Sequence, residues 1–249
     1  MAFLFDLDET LVVEEPAAVA AFEATARLAA TERPLDVAAL AVGARSRARE
    51  LWYAAPTHPY CRRTGISSWE GLWCQFERDD ALRAWSPTYR REAWRLALAD
   101  QGIDDADLAE ELGERFGAER RARHDTFSEV EDVLRELPRP LALVTNGASC
   151  LQREKLAASG LEFEVVVVSE EFGIGKPDPS IFRHALEQLG ADDGVMVGDS
   201  LARDVDGALA AGLQAVWCNR TGEPRPEGRG DLVEIRTLRE LLEVHQPGV

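Results

Sequence analysis

The feature that most constrains this chain is a recurring unit: a short, almost uninterrupted apolar run, then polar residues, with helical segments between the runs. The runs are Ala2–Phe5, Leu141–Val144, Val165–Val168, Val195–Val197, Leu213–Trp217 and Leu232–Ile235. Runs of this length without polar alternation suit strands buried on both faces, as in a parallel sheet. Val130–Leu137, Leu151–Ser159, Pro179–Leu189, Asp204–Ala211 and Leu238–Val244 read as the intervening helices. Such alternation predicts an α/β fold with a Rossmann-like parallel sheet. Residues 14–123 are different and hold no convincing strand. Ala17–Ala30, Leu35–Tyr53, Ser67–Phe76, Pro87–Asp100 and Ala106–Arg123 read as helices, with Ser67 and Glu70 spaced as a capping box and Pro56–Pro59 as a break. The expected organisation is a core made of residues 1–13 and 124–249, interrupted by an all-helical domain over residues 14–123.

Polar groups follow the strands in a definite order: Asp6 and Asp8, Thr145 and Asn146, Lys176 in a Gly-Lys-Pro loop, then Asp199 and Asp204. Parallel strands would bring all four groups to one edge of the sheet, where open α/β folds bind ligands. Taken singly, each stretch also suits a turn or a helix cap, Thr10 included. Taken together they describe a site. Asp6, Asp8 and Asp199 offer oxygen ligands to Mg²⁺, which takes few carboxylates and keeps waters and substrate oxygens. The Thr145 hydroxyl, the backbone N–H groups after it and Lys176 suit phosphate oxygens. Lys176 also restrains repulsion among the acids. A phosphoryl group needs mainly positioning and charge neutralisation.

Composition narrows the partners. The formal net charge is −17 and the pI is near 4.7, which argues against nucleic acid or an anionic membrane as the main partner. A small anionic substrate remains open, since a local cationic pocket can outweigh the global field. No apolar run approaches the ~20 residues a bilayer needs. Met1 leads straight into the first strand, and Cys61, Cys74, Cys150 and Cys218 show no CxxC spacing. These features set the expectation of a cytoplasmic protein with four free thiols. Of 28 basic residues only Lys155 and Lys176 are lysine. Lysine offers a compact charge that the planar arginine fork does not reproduce.

These stretches resemble the four motifs of the haloacid dehalogenase-like (HAD) hydrolase superfamily. Asp6-Leu7-Asp8-Glu9-Thr10 is similar to the first motif and Thr145-Asn146-Gly147 to the second. Lys176-Pro177 is similar to the third, and Gly198-Asp199-Ser200-Leu201-Ala202-Arg203-Asp204 to the acidic fourth. The helical block matches the position of the C1 cap of subfamily I. The run from Val144 to Ala185 further resembles the N-acylneuraminate-9-phosphatase and pyrimidine 5′-nucleotidase branch. Where related phosphatases often carry Pro-Gly before the helix at Val130, this chain has Phe127-Ser128-Glu129.

The resemblance implies a Mg²⁺-dependent phosphatase acting on a sugar phosphate or nucleotide monophosphate. Asp6 would be the nucleophile that forms an aspartyl-phosphate. Asp8 would be the general acid and then base, with its backbone carbonyl on the metal. Thr145, Asn146 and Lys176 would bind phosphate. Asp199 would hold Mg²⁺, with Asp204 and Thr10 in support. Asp8 separates this reading from a haloacid dehalogenase, which has no need of the second acid. A phosphomutase and a non-catalytic regulatory protein are the other readings of the same residues. The expected partner is a small phosphorylated metabolite, and the expected assembly a monomer or homodimer. In the helical block, Arg45, Arg49, Arg62 and Arg63 read as a solvated face or as contacts to an anionic substrate. Trp52, Tyr53, Trp69, Trp73 and Phe76 read as its core.

Overall fold

The computed structural model describes residues 1–244; residues 245–249, part of the core expected from sequence, lie outside the described residues. The chain forms two compact units. One comprises Met1–Val13, Asp125–Asn146 and the described residues from Lys155 onward; the other comprises Glu14–His124 together with Gly147–Glu154. No helix among the described residues is long and apolar enough to cross a membrane.

Strand β1 spans Ala2–Phe5 and opens the first unit. The helical unit follows, with α1 Glu15–Glu32, α2 Val37–Ala54, α3 His58–Thr64, α4 Ser68–Gly71, α5 Asp80–Ala99 and α6 Ala106–Arg121. Its core is Phe22, Leu40, Trp52, Trp73, Phe76, Tyr89, Trp94, Leu112 and Phe116 with many alanines between them. Small residues let these helices approach closely: a Cβ on Gly71 would collide with the rings of Trp52 and Tyr89.

Three expectations for this block need correction. The helix expected over Ser67–Phe76 ends at Gly71. Its capping box forms, but Phe76 takes a left-handed φ of 48°, which no α-helix accepts. The helix expected from Pro87 begins seven residues earlier, because Asp79 caps it and a buried stripe of Leu82, Ser86, Tyr89, Ala93, Trp94 and Ala97 carries it past the proline. Tyr53 is exposed and Trp69 half-buried, so neither belongs to the core with Trp52, Trp73 and Phe76. Among the arginines, Arg45 pairs with Glu15 and lies over the Trp69 ring, and Arg49 and Arg63 lie over Tyr53 and Tyr60. Cys74 and Cys150 meet in this unit with their sulfurs 2.7 Å apart, as free thiols.

The rest of the chain builds the sheet unit. Its elements are α7 Val130–Glu136, β2 Leu141–Thr145, α8 Ser149–Ser159, β3 Val165–Val168, α9 Ser169–Phe172, α10 Pro179–Leu189, β4 Gly194–Gly198, α11 Asp206–Ala211, β5 Gln214–Cys218, β6 Val233–Ile235 and α12 Arg239–Val244. The first half of α8 groups with the helical unit and its second half, from Lys155, with the sheet. All six strands are parallel, in the order β3-β2-β1-β4-β5-β6.

Alternate residues supply the two faces. Phe3, Phe5, Leu141, Leu143, Val195 and Val197 pack with α7 and α12 on one side. Ala2, Leu4, Ala142, Val144 and Met196 pack with α10 and Ala208 on the other. Fully burying a Phe side chain such as Phe3 or Phe5 contributes about 2–3 kcal/mol, which is why the strands tolerate almost no polar residue. Sequence periodicity missed α3, which starts at His58 inside the Pro56–Pro59 stretch read as a break, and the short α9 after β3; it also missed the π-helical turn Leu201–Val205, where a regular helix from Asp204 was expected.

Candidate active site

The strand order reverses between β1 and β4, and open sheets bind ligands at the carboxyl ends of the strands at such a point. Asp6 stands there. Its backbone N–H donates to the Val197 carbonyl over 3.0 Å, extending the β1–β4 pairing by one step. The chain then turns at once. Leu7 O accepts from both Leu11 N and Val12 N, Glu9 N–H donates to Val12 O, and Glu9 adopts a left-handed φ of 60°.

β4 ends at Gly198, and Asp199 follows with its carbonyl held by the Trp217 indole N–H at 2.8 Å. The π-helical turn then carries Asp204 back toward the strand end, where its Oδ2 accepts from Ser200 N–H at 2.9 Å. Carboxylate oxygens of Asp6, Asp199 and Asp204 all lie within 4.8 Å of one another. Lys176 Nζ is 2.6 Å from Asp6 Oδ1 and 2.6 Å from Asp204 Oδ1, with its side chain 2% exposed.

Asn146 positions this lysine. Its Nδ2 donates to Lys176 O at 2.9 Å and its Oδ1 accepts from Lys176 N–H at 2.7 Å, so one amide clamps the backbone of the next loop. Gly175 permits the approach, since a Cβ there would stand 2.7 Å from Asn146 Oδ1. Thr145 closes β2, buried, two residues beyond the Leu143 that pairs with Phe5.

The electrostatics follow from the geometry. Burial pushes Asp6 up to about 6, against the pull of Lys176 and with the help of Asp204 and Asp8. Burial and the Asp6 and Asp204 charges push Asp199 up to about 8. Burial alone would lower Lys176, but Asp204 and Asp6 outweigh it and raise the ammonium above its usual range.

The structure brings together Asp6, Lys176, Asp199 and Asp204, with Asn146 behind Lys176. The Asp8 carboxylate is elsewhere: Lys155 Nζ lies 2.9 and 3.0 Å from its two oxygens. The carboxylates that gather are therefore Asp6, Asp199 and Asp204; of the expected metal set Asp6, Asp8 and Asp199, Asp8 turns its carboxylate to Lys155. The reason is local. The chain turns at Leu7, so positions 6 and 8 do not share a face as they would on a strand, and the π-helical turn returns Asp204. Thr10 is buried inside the turn. Its carbonyl accepts from Arg220 at 2.8 Å, and Arg220 is held in turn by Glu129 at 2.7 Å and the Phe127 ring at 3.7 Å. The Phe127-Ser128-Glu129 departure thus supplies a buttress for the Asp6 loop.

Comparison with known proteins places the chain. The haloacid dehalogenase-like hydrolase model matches residues 1–212. The chain belongs to that family. Phosphoserine phosphatase of Thermus thermophilus is 40% identical over 96% of this chain and 96% of that protein. N-acylneuraminate-9-phosphatase of Rattus norvegicus is 41% identical over 53% of this chain and 57% of its own length. Among solved structures, a 2-haloacid dehalogenase from Pseudomonas syringae pv. Tomato superposes over 98% of this chain and 96% of its own with a TM-score of 0.60 and 28% identity. This HAD hydrolase is accordingly an enzyme whose relatives at 40% identity carry phosphatase names.

Sequence reasoning assigned no role to Lys155, Arg220 or Gly198. The scarcity of lysine pointed at Lys155; nothing local pointed at Arg220. A Cβ on Gly198 would overlap the Asp204 carboxyl. Gly198→Ala is expected to push Asp204 out of the cluster and lower kcat/KM by about 100-fold, the scale of a 1 Å misplacement at a reacting centre. Steady-state kinetics on the purified variant check this; wild-type activity would show that Asp204 works from a displaced position.

Proposed function

We propose that this HAD hydrolase cleaves a small phosphomonoester with Mg²⁺ as cofactor, through an aspartyl-phosphate on Asp6. The observation that carries the reading is the arrangement of Asp6, Asp199 and Asp204 around Lys176 at the ends of β1 and β4. The donors are all carboxylate oxygens, two of the three acids share one lysine, and burial lifts two of them well above the usual carboxylate range. Such a set fits a hard divalent cation. Asp6 and Asp199 would hold it, with Asp204 beside them and the Asp8 carbonyl as the family resemblance implies. Bound there, Mg²⁺ supplies positive charge opposite the phosphoryl oxygens and favours the ionised form of the carboxylates.

The chain's own groups then divide the work. Lys176 holds Asp6 Oδ1, leaving Oδ2 to attack phosphorus. The bond from phosphorus to the ester oxygen breaks as Asp8 gives its proton to the departing oxygen. Water next attacks the phosphorus of the aspartyl-phosphate while Asp8 takes its proton, which releases inorganic phosphate and restores the Asp6 carboxylate. The Thr145 hydroxyl, the N–H groups after it and the Lys176 ammonium bind the remaining phosphoryl oxygens.

A phosphorylated amino acid joins sugar phosphates and nucleotide monophosphates as a substrate class, with phosphoserine first. The support is the Thermus phosphoserine phosphatase, whose identity to this chain runs through the helical block as well as the sheet unit. The test is phosphate release from phosphoserine, sugar phosphates and nucleotide monophosphates, with and without Mg²⁺, and halide release from a 2-haloacid. The expected result is Mg²⁺-dependent release that falls to background in EDTA, with phosphoserine preferred and no halide released. Halide release, or no phosphate from any ester in the presence of Mg²⁺, would sink the proposal.

A further inference from the structure

The two lysines of this chain do parallel things. Lys176 Nζ meets the first acid of the opening motif, Asp6, at 2.6 Å; Lys155 Nζ meets the second, Asp8, at 2.9 and 3.0 Å. Every other basic residue is arginine. Lys155 is 0% exposed and Asp8 27% exposed at the side chain, so the lysine lies beneath the acid, and Asp8 alone of the two presents surface to a ligand. A fully buried ammonium is costly to desolvate and persists where a counter-charge meets it. Its near-equal distance to both Asp8 oxygens centres the charge on the carboxyl group and restrains where that group sits. An arginine fork would bring a larger planar head into the same closed space.

We propose that Lys155 is the positioning residue for Asp8: from the second half of α8 it holds the carboxyl apart from the Asp6–Asp199–Asp204 cluster, where it can serve the departing oxygen. Lys155 acts through Asp8 and touches no substrate. The inference rests on the reading of Asp8 as the general acid.

The decisive variant is Lys155→Met, similar in length and without charge. Single-turnover release of the leaving group is measured for two esters, phosphoserine with an alkoxide leaving group and p-nitrophenyl phosphate with a phenolate that departs without a proton. Both are read on the same preparation, so the ratio of the two rates does not depend on how much of the variant is folded. General acid catalysis contributes about 10²–10⁴-fold where a proton is needed. Lys155→Met is expected to slow the alkyl ester by about 10-fold or more and the aryl ester by less than about 3-fold, a partial loss of that contribution. Combined with Asp8→Asn, it should add less than about 2-fold for either ester, because the residue it acts through is already gone.

Equal slowing of the two esters, or a full additional loss on the Asp8→Asn background, would mark Lys155 as a merely structural ion-pair partner. Asp8→Asn alone reports on the underlying reading. If it shows no bias between the esters, the acid assignment fails and this proposal with it. If it is biased and Lys155→Met is not, this proposal alone fails. Should Lys155→Met give no soluble protein, Lys155→Gln is read by the same ratio.

Discussion

Asp6→Asn abolishes turnover while the fold stands. The amide has nearly the same shape and cannot act as the nucleophile at phosphorus, so kcat is expected to fall by about 10⁴-fold or more, as for a nucleophile that acts together with its partners. Stability should move the other way at neutral pH. Burial holds the Asp6 pKa at about 6 in the folded chain against an ordinary value of 3.8. Between those two values the folded state binds more protons than the unfolded one, so the Asp6 contribution to stability is lost as pH rises through that window. An uncharged amide escapes this loss. In EDTA the variant is expected to melt at or above the wild type at pH 7.5, with the difference narrowing toward pH 4. Lys176 keeps its second partner, Asp204, throughout. Phosphate release within about 10-fold of the wild type would remove Asp6 as the nucleophile. A large fall in melting temperature at pH 7.5 would mean that the Asp6 charge holds the cluster together rather than straining it.

Much of this was legible because the strands are buried on both faces. Ala2–Phe5 and Val165–Val168 have no polar residue to blur their limits, and the structure returns them with the boundaries read from sequence. Helix α10 is equally plain: Asp178 caps it, Pro179 opens it, and Gly190 in a left-handed conformation closes it, each a local signal. The helical block was less readable. Pro87 resembles a helix start, yet it sits inside α5, because the buried face running from Leu82 to Trp94 is a tertiary property. At the site, the acids and Lys176 were visible as strand-end residues. Their grouping was not. Whether Asp8 or Asp204 joins Asp6 depends on a turn at Leu7 and on one π-helical turn, and neither leaves a periodic trace. Lys155 lies 147 residues from Asp8 along the chain, so only the lysine count marked it. Arg220 reaches Thr10 from 210 residues away and looks in sequence like any other arginine.

The cluster's dependence on one ammonium gives the other large effect. Lys176→Met leaves the buried Asp6 and Asp204 and the half-buried Asp199 without the cation that lies 2.6 Å from Asp6 and Asp204. Removing one member of a buried ion pair costs about 3–5 kcal/mol, chiefly as the uncompensated charge left behind. The raised pKa of Lys176 fixes the sign. Its stabilising contribution is complete at every pH below the unfolded lysine value and is lost only as pH rises through the folded one, so the full loss is expected at pH 7. Lowering the pH should recover part of it, because protonation of the remaining acids relieves their repulsion, and loss of Lys176, whose charge pulls both down, moves Asp199 and Asp6 still further up. Mg²⁺ should recover part of it at constant pH, by binding the folded state preferentially. Activity should not follow. With the phosphate-binding charge gone, kcat/KM is expected to fall by about 10³-fold, comparable to loss of a main electrostatic stabiliser. Urea denaturation at pH 5 and pH 7.5, each with EDTA and with Mg²⁺, separates these contributions. Destabilisation that is large at pH 7.5 in EDTA and shrinks with acid or with Mg²⁺ is the expected pattern. A loss that stays the same in all four conditions would show that Lys176 holds the loop by packing alone and that the three carboxylates do not act as one charged group.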